Sequence, residues 1–127
     1  MREVDEHLQS SGGAIHLAKA EFFRTLGHPI RVRIVELLRD GERSVGDLQS
    51  ALKLDSGGAS QHLAVLRREG VLARRKEGTS VFYSVKDVGT FQLLETARQI
   101  LSARFEETQA LLEGLAAPAA PLRGDRR

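Results

Sequence analysis

The sequence predicts a mainly α-helical domain with one small β-hairpin, and three features of the 127-residue chain support this fold class. Apolar residues recur at three- and four-residue steps through most of the chain, as on the buried face of a helix. Two β-rich segments, 71–73 and 81–85, flank a short polar run, which is typical of a hairpin. Two short helices joined by a tight turn precede that hairpin. The predicted order is helix, helix, helix, helix, strand, strand, helix, the outline of a winged helix-turn-helix.

Length and composition indicate one domain, which we place at residues 14–115. The chain contains no cysteine, which excludes disulfides, iron–sulfur clusters and thiolate metal sites. No apolar run approaches the roughly 20 residues that span a bilayer, and the acidic segment 1–6 is unlike a signal peptide. We therefore expect a cytoplasmic protein with no membrane partner.

The N-terminal third is predicted to contain two helices. Residues 1–13 end in a Ser-Ser-Gly-Gly cluster and are expected to form a mobile arm or a short frayed helix. The next helix has an apolar stripe and ends at Gly27. Pro29 opens the second helix, with His28 as its cap and Gly41 as its stop. The stripe of the first helix consists of Ile15, Ala18, Phe22 and Leu26, and Phe23 widens it.

The middle of the chain carries the predicted helix-turn-helix and wing. Ser44 with Asp47 three residues later resembles a capping box at the start of the third helix. The turn covers residues 53–55, and Asp55 or Ser56 is expected to cap the fourth helix. Residues 76–80 are the predicted tip of the hairpin.

A long fifth helix is predicted after Asp87, because the apolar period then continues for about seven turns. With the first helix, it offers more apolar surface than so small a core can cover, which indicates a partner. We favour a two-fold homodimer, since a self-complementary patch closes as a pair; the alternative is a helix folded back on its own domain. Residues 116–127 are predicted to be a disordered tail. The predicted dimer-interface residues are Ile15, Ala18, Phe22, Phe91, Leu94, Ile100, Leu101 and Phe105.

The net charge is only +2, but bases cluster between Arg67 and Lys76. Such a patch indicates a polyanion partner such as double-stranded DNA, although a merely solvated surface explains it about as well. The outer face of the fourth helix is small and polar, and Gln61 is the best candidate for base readout, because its amide matches adenine. Bases at the helix end and wing would bind phosphate. The predicted DNA-binding residues are Ser56, Gly57, Ser60, Gln61, His62, Arg67, Arg68, Arg74, Arg75, Lys76 and Thr79.

Two features of the fourth helix leave alternatives open. Gly57 and Gly58 either let the backbone N–H groups approach a phosphate closely or merely sit in a frayed first turn. His62, at the boundary of the two faces, either binds a phosphate or packs structurally, and we favour the structural role slightly.

No catalytic, metal or cofactor site is predicted. The chain has no Gly-x-Ser-x-Gly, P-loop or His-Glu-x-x-His motif. His7 and His16 lack the three converging ligands that a metal requires. We expect a protein that is not an enzyme.

Two segments, 20–34 with its Leu-Gly-His-Pro-x-Arg run and 59–72 with its Ser-x-His-Leu-x-x-Leu run, resemble the ArsR/SmtB family of bacterial transcriptional repressors. The resemblance extends from about residue 16 to residue 106. It implies a dimer through the first and fifth helices that binds an imperfect palindrome and represses transcription until a signal lowers its affinity. It places Ser60, Gln61 and His62 on the recognition helix and residues 76–80 at the wing tip.

The chain departs from the sensing members of that family. Metal-sensing members carry Cys-x-Cys in the third helix, where this chain has 43–47, Arg-Ser-Val-Gly-Asp. Others use Asp-x-His with a His-x-x-Glu in the fifth helix, where this chain has no histidine. Metal and thiol induction are therefore not expected, and the effector, if any, is unknown.

Two other functions compete with a sequence-specific regulator. One is a protein-interaction module whose long helices bind another protein and whose basic wing is incidental. The other is an architectural protein that binds DNA without sequence preference. Selection from random oligonucleotides separates all three.

Overall fold

The computed structural model describes residues 11–54 and 56–116. Contacts divide the chain into two units, Met1–Val88 and Gly89–Arg127. The described elements, in chain order, are α1 (Ser11–Leu26), α2 (Pro29–Leu37), β1 (Arg43–Ser44), α3 (Val45–Leu52), α4 (Ser56–Arg68), β2 (Leu72–Glu77), β3 (Ser80–Val85) and α5 (Gly89–Ala116).

The predicted fold class, mainly helical with a small hairpin, is confirmed, but the expected number of strands is wrong. A short strand, β1, pairs antiparallel with β3, with Arg43 opposite Tyr83 and Ser44 opposite Phe82. The sheet order is therefore β1-β3-β2. Two residues are too few to show the alternation that marks a strand in sequence, so only the tertiary pairing reveals β1.

The junction of α1 and α2 follows the predicted chemistry. Nδ1 of His28 accepts a hydrogen bond from the Ile30 N–H at 3.1 Å, which confirms His28 as the cap of α2. Pro29 occupies the first helical position, where no N–H is needed. The predicted stop at Gly41 is wrong: α2 ends at Leu37, and Leu38 is the C-cap. Gly41 lies in the turn that follows, with φ of +134°, a backbone conformation that only glycine adopts easily.

The helix-turn-helix is formed by α3 and α4. Ser44 caps α3, since its Oγ accepts from the Asp47 N–H at 3.1 Å, as predicted. Lys53 is the C-cap of α3 and has the left-handed backbone conformation, with φ of 58°. Asp55 and the side chain of Ser56 lie outside the described residues, so their capping of α4 stays a prediction.

The core of the first unit is where α2, α3 and α4 meet the sheet. The predicted inward residues of α4, Ala59, Leu63 and Leu66, are all buried. Burying each of the two leucines stabilises the fold by about 1.5–3 kcal/mol. The other side chains of this core include Leu26, Ile34, Val35, Leu38, Leu48, Leu52, Val71, Leu72 and Tyr83. This packing fixes which face of α4 remains outside.

In the second unit, α5 is a helix of 28 residues, about 42 Å long at 1.5 Å per residue. The N-terminal helix, α1, starts at Ser11, three residues before the predicted domain boundary. The rest of the predicted arm, 1–10, and tail residues 117–127 lie outside the described residues. Among the described helices, none has the length and apolarity needed to cross a membrane.

Candidate nucleic-acid interface

The outer face of α4 is polar and open. Gln61, Ser60 and Ala64 are exposed, while Leu63 beside them is 1% exposed. Gly57 is also exposed, and a Cβ added there would meet nothing within 4 Å. Amide and hydroxyl groups on such a face can donate to and accept from base edges, and small neighbours allow close approach.

A depression lies between the end of α4 and the sheet. It is lined by Ala64, Arg67, Arg68 and Tyr83. Both arginines are exposed, and Arg68 Nε lies 3.6 Å from Oε2 of Glu69. Two guanidinium groups beside an aromatic floor form an electropositive surface suited to a phosphate backbone.

The strand pairing of the wing separates the basic residues of β2. Arg74 lies opposite Tyr83, and Lys76 lies opposite Val81. Because side chains alternate along a strand, Arg74 and Lys76 share the face of Leu72 and Tyr83. Tyr83 lines the depression beside α4, so these two bases lie on the side of the sheet that faces the helix. Among the described residues, no acidic side chain forms an ion pair with either base.

Arg75 lies on the opposite face of the sheet and is held by other residues of the protein. Its Nε and Nη2 donate to the carboxylate of Glu42 at 3.2 and 2.5 Å, and its Nη1 donates to Oε1 of Glu77 at 2.8 Å. The guanidinium also covers the Phe82 ring, 4.7 Å from its centroid. Hydrogen bonds from Arg75 hold the pKa of the Glu42 carboxyl below its ordinary value, and the two carboxylates raise the pKa of Arg75. Three of the five N–H donors of Arg75 therefore already bond carboxylates of the same protein, which compete with a phosphate for this guanidinium.

His62 is half-buried and bonded within the protein. Its Nδ1 accepts a hydrogen bond from Nε of Arg31 at 3.2 Å, and its ring centroid lies 4.3 Å from that of His28. Burial lowers the pKa of His62, and electrostatic repulsion of the imidazolium form by His28 and Arg31 lowers it further. These contacts support the structural role of His62 over phosphate binding.

Thr79 at the hairpin turn is exposed. The side chain of Ser56 lies outside the described residues, so its predicted contact with DNA is not placed. The structure therefore leaves Gly57, Ser60 and Gln61 exposed on α4 and places Arg67 and Arg68 at the depression with Tyr83. Arg74 and Lys76 share the Tyr83 face of the sheet, and Arg75 lies on the other face.

Sequence reasoning missed Arg31, Glu42 and Tyr83. The His-Pro-x-Arg motif marks Arg31 in the sequence, but its hydrogen-bond partner on α4, His62, is 31 residues away. Glu42 is 33 residues from Arg75, and no local pattern connects them. The sequence predicts Tyr83 only as a strand residue, because its position beside α4 depends on the register of the sheet.

The residues predicted at the dimer interface leave apolar surface exposed in both units. On α1, Ile15 is 52% exposed and Phe22 is half-buried against Phe23. On α5, the exposed large apolar residues are Ile100, Leu101, Phe105, Leu111, Leu112 and Leu115, with Phe105 69% exposed, whereas Phe91 and Leu94 are intermediate. Ala18 is exposed. In the described part of the chain, no three His, Asp or Glu side chains come close enough to hold a metal ion.

Known proteins share the sequence of this helix-turn-helix and wing. The family model of the bacterial regulatory protein arsR family matches residues 28–74, from the cap of α2 into β2. An uncharacterized HTH-type transcriptional regulator of Mycobacterium tuberculosis is 45% identical over 104 residues, which are 81% of this chain and 91% of that protein. The chain belongs to the ArsR family. The predicted resemblance is therefore confirmed.

Other relatives have named roles. The transcriptional activator HlyU of Vibrio cholerae is 35% identical over 97 residues, covering 76% of this chain and 85% of that protein. The biofilm growth-associated repressor of Xylella fastidiosa is 34% identical over 91 residues, covering 72% and 78%. This ArsR-family chain is thus a DNA-binding transcriptional regulator and not an enzyme.

Solved structures share the fold. The crystal structure of Mycobacterium tuberculosis Rv0081 aligns with a TM-score of 0.67 at 44% identity, over 74% of this chain and 95% of that one. A homodimeric winged helix-turn-helix DNA-binding domain of Mycobacterium bovis aligns with a TM-score of 0.69 at 24% identity, over 78% and 92%. The second likeness concerns the fold alone, and it confirms the predicted winged helix-turn-helix.

Proposed function

We propose that this ArsR-family regulator is a dimeric repressor that binds an imperfect palindrome with α4 in the major groove and the wing on the adjacent backbone. The observation that carries the proposal is a depression lined by Arg67 and Arg68 of α4 and Tyr83 of β3, because Arg74 and Lys76 of β2 lie on the same face of the sheet as Tyr83. A helix that enters the groove needs base-reading groups on it and cations beside it, and this arrangement supplies both.

The proposed contacts divide into base readout and phosphate binding. Gln61, with Ser60 beside it, reads base edges, because both are exposed and polar on the outer face of α4. Arg67, Arg68, Arg74, Lys76 and Thr79 bind the backbone. Arg75 is reassigned from phosphate binding to holding the wing, since its three nitrogens already bond Glu42 and Glu77.

The dimer is proposed from the exposed apolar surfaces of α1 and α5. Residues Leu94, Leu101, Phe105 and Leu112 recur at steps of seven, four and seven, so they form one stripe along α5. A stripe of this kind pairs with its own copy by a two-fold axis, and the Mycobacterium bovis protein of the same fold is homodimeric. Two copies of α4 would then reach half-sites about 34–36 Å apart.

Repression is the proposed outcome of binding. A dimer seated on a palindrome that overlaps a promoter excludes polymerase from the same DNA. The relatives of this chain include a repressor from Xylella fastidiosa and an activator from Vibrio cholerae, so the direction of regulation is measured directly. In transcription reactions with purified polymerase, we expect the protein to reduce the transcript from a promoter carrying its site; an increase would make it an activator.

We also propose that the regulator responds to neither metals nor thiol oxidants. The chain has no cysteine, and α5 has no histidine. Zinc, copper, chelators and peroxide should leave operator affinity unchanged in titrations at fixed ionic strength. Release of DNA by any of them would contradict this part of the proposal. As a bacterial DNA-binding regulator, the protein is proposed to act in the cytoplasm.

Selection of bound sequences from random oligonucleotides tests the proposal. We expect an imperfect palindrome, and we expect Gln61→Ala to lose preference at one base of each half-site, a discrimination of about 1–3 kcal/mol. Gln92→Ala, an exposed glutamine of α5, is the matched control and should keep the wild-type motif. Tight binding without any motif would favour an architectural protein, and no DNA binding with capture of one protein would favour an interaction module.

A further inference from the structure

One guanidinium group joins three helices of the first unit. Arg31 lies on α2, and its Nη1 donates to the carbonyl oxygen of Thr25 at the end of α1, at 3.1 Å. Its Nε donates to Nδ1 of His62 on α4, at 3.2 Å. Both bonds are partly buried, where a charge-assisted hydrogen bond is stronger than in water. Arg31 therefore links the recognition helix to the C-terminal end of α1.

The two histidines at this junction both act as acceptors at Nδ1. His62 accepts from Arg31, and His28 accepts from the Ile30 N–H while its ring lies 4.3 Å from that of His62. A neutral imidazole has one acceptor nitrogen, whereas an imidazolium has none. The arrangement therefore requires both rings to be without a proton on Nδ1.

We propose that Arg31 is a positioning residue, which sets the rotation of α4 through neutral His62 and so fixes where Gln61 meets the bases. This inference rests on the proposed function and adds a determinant of specificity that contacts no DNA. Gln61 directly precedes His62 in α4. An outer side chain lies about 5–6 Å from a helix axis, so a rotation of 10° moves it by about 1 Å. That shift is enough to break a hydrogen bond to a base.

Acid should weaken this junction. Within the part of the chain that the structure describes, the titratable groups acting on His62 are His28 and Arg31, both of the α2 segment. The junction holds the pKa of His62 below its ordinary value of 6.5, so the unfolded chain binds the proton more readily than the folded one. The stabilisation is full above pH 6.5 and declines as the pH falls below it.

The direction of this pH dependence separates positioning from phosphate binding. If His62 contacted a phosphate directly, protonation would add a charge-assisted bond and acid would tighten DNA binding. If His62 positions α4 as an acceptor, acid removes the bond from Arg31 and weakens the preference for the operator. The two roles predict opposite signs.

The test measures affinity for the selected operator and for a scrambled duplex by fluorescence anisotropy, from pH 5.5 to 8.0 at fixed ionic strength. We expect the preference of the wild type to fall by about tenfold on acidification, the size of losing one hydrogen bond to a charged group. His62→Asn keeps an acceptor near the position of Nδ1 but does not titrate, so it should retain preference and lose the pH dependence. Arg31→Ala should lose about tenfold in preference at pH 8.0.

Two further measurements keep the outcome decisive. Arg31→Lys keeps the charge, but lysine has a single side-chain nitrogen and cannot reach both acceptors. This variant should therefore also lose preference for the operator, and it provides the test if Arg31→Ala does not fold. Ring-nitrogen NMR of the full chain without DNA should find Nδ1 of His62 unprotonated at pH 8.0. A protonated Nδ1, unchanged preference in folded Arg31 variants, or a wild-type preference that does not fall in acid would overturn the positioning role alone. A wild type that binds no operator would overturn it together with the proposed function.

Discussion

Neighbouring side chains of β2 have opposite surroundings. Arg74 faces the α4 side of the sheet beside Tyr83, whereas Arg75 faces the other side between Glu42 and Glu77. Among the described residues, no acidic side chain forms an ion pair with Arg74, so we expect its charge to bind a polyanion, whereas Arg75 forms ion pairs with Glu42 and Glu77. Two adjacent arginines are thus expected to serve different purposes.

The pair Arg74→Gln and Arg75→Gln tests this division. Arg74→Gln should weaken binding to all sequences alike and reduce the slope of log affinity against log salt by about one, because one phosphate contact is lost. Arg75→Gln should leave that slope unchanged. It should also return the pKa of the Glu42 carboxyl, low in the wild type, to its ordinary value in an NMR titration. Equal salt slopes in both variants would mean that the two residues act alike.

Gly57 is open to the outside of α4, since an added Cβ would meet no atom of the protein within 4 Å. Gly57→Ala should therefore stabilise the free protein by about 0.4–1 kcal/mol in urea unfolding, by restricting the unfolded chain. It should weaken DNA binding if the backbone there approaches a phosphate.

Gly114→Ala is the matched control for Gly57, because its added Cβ also meets nothing within 4 Å. It should raise stability without changing DNA affinity. If Gly57→Ala binds DNA as tightly as the wild type, the glycine is merely tolerated in the first turn of α4, which is the other interpretation of the sequence.

At the scale of elements, the C-cap of α3 is a described residue in the left-handed region of backbone conformation. Lys53 ends α3 with φ of 58° and ψ of 43°, and its N–H donates to the Ser50 carbonyl at 3.3 Å. A residue with a Cβ is strained in this conformation, by roughly 1 kcal/mol.

Lys53→Gly should raise the free energy of unfolding by up to about 1 kcal/mol, because glycine adopts this conformation without the steric cost. Chemical denaturation at neutral pH measures the change. Lys19→Gly, at an exposed position inside α1, is the control and should lower stability by about 1 kcal/mol. Destabilisation by both changes would show that the Lys53 side chain contributes more than its backbone costs.

At the scale of the whole molecule, the apolar stripe of α5 is expected to hold two copies together. Phe105 is 69% exposed and Leu101 is 57% exposed in the described chain. Apolar side chains of this size are usually covered when they lie in a continuous stripe. A dimer would cover them and would present two copies of α4 to one duplex.

Phe105→Glu should raise the dimer dissociation constant by about 30-fold or more in analytical ultracentrifugation, because apolar anchors contribute about 2 kcal/mol or more. Ala103→Glu adds the same charge about 200° around the helix and should leave the constant unchanged. A wild type that sediments as a monomer at micromolar concentration would contradict the dimer and, with it, the palindrome.

The sequence by itself determined the helices, the N-caps of α2 and α3 and the polar face of α4, because these depend on short-range periodicity and on single residues such as His28 and Ser44. It also determined the family, through motifs that lie within short segments. The tertiary structure alone decided that β1 joins the sheet, that Arg75 is held away from Arg74, and that Arg31 bonds His62. These features depend on strand register and on partners more than 30 residues apart, which no local pattern encodes.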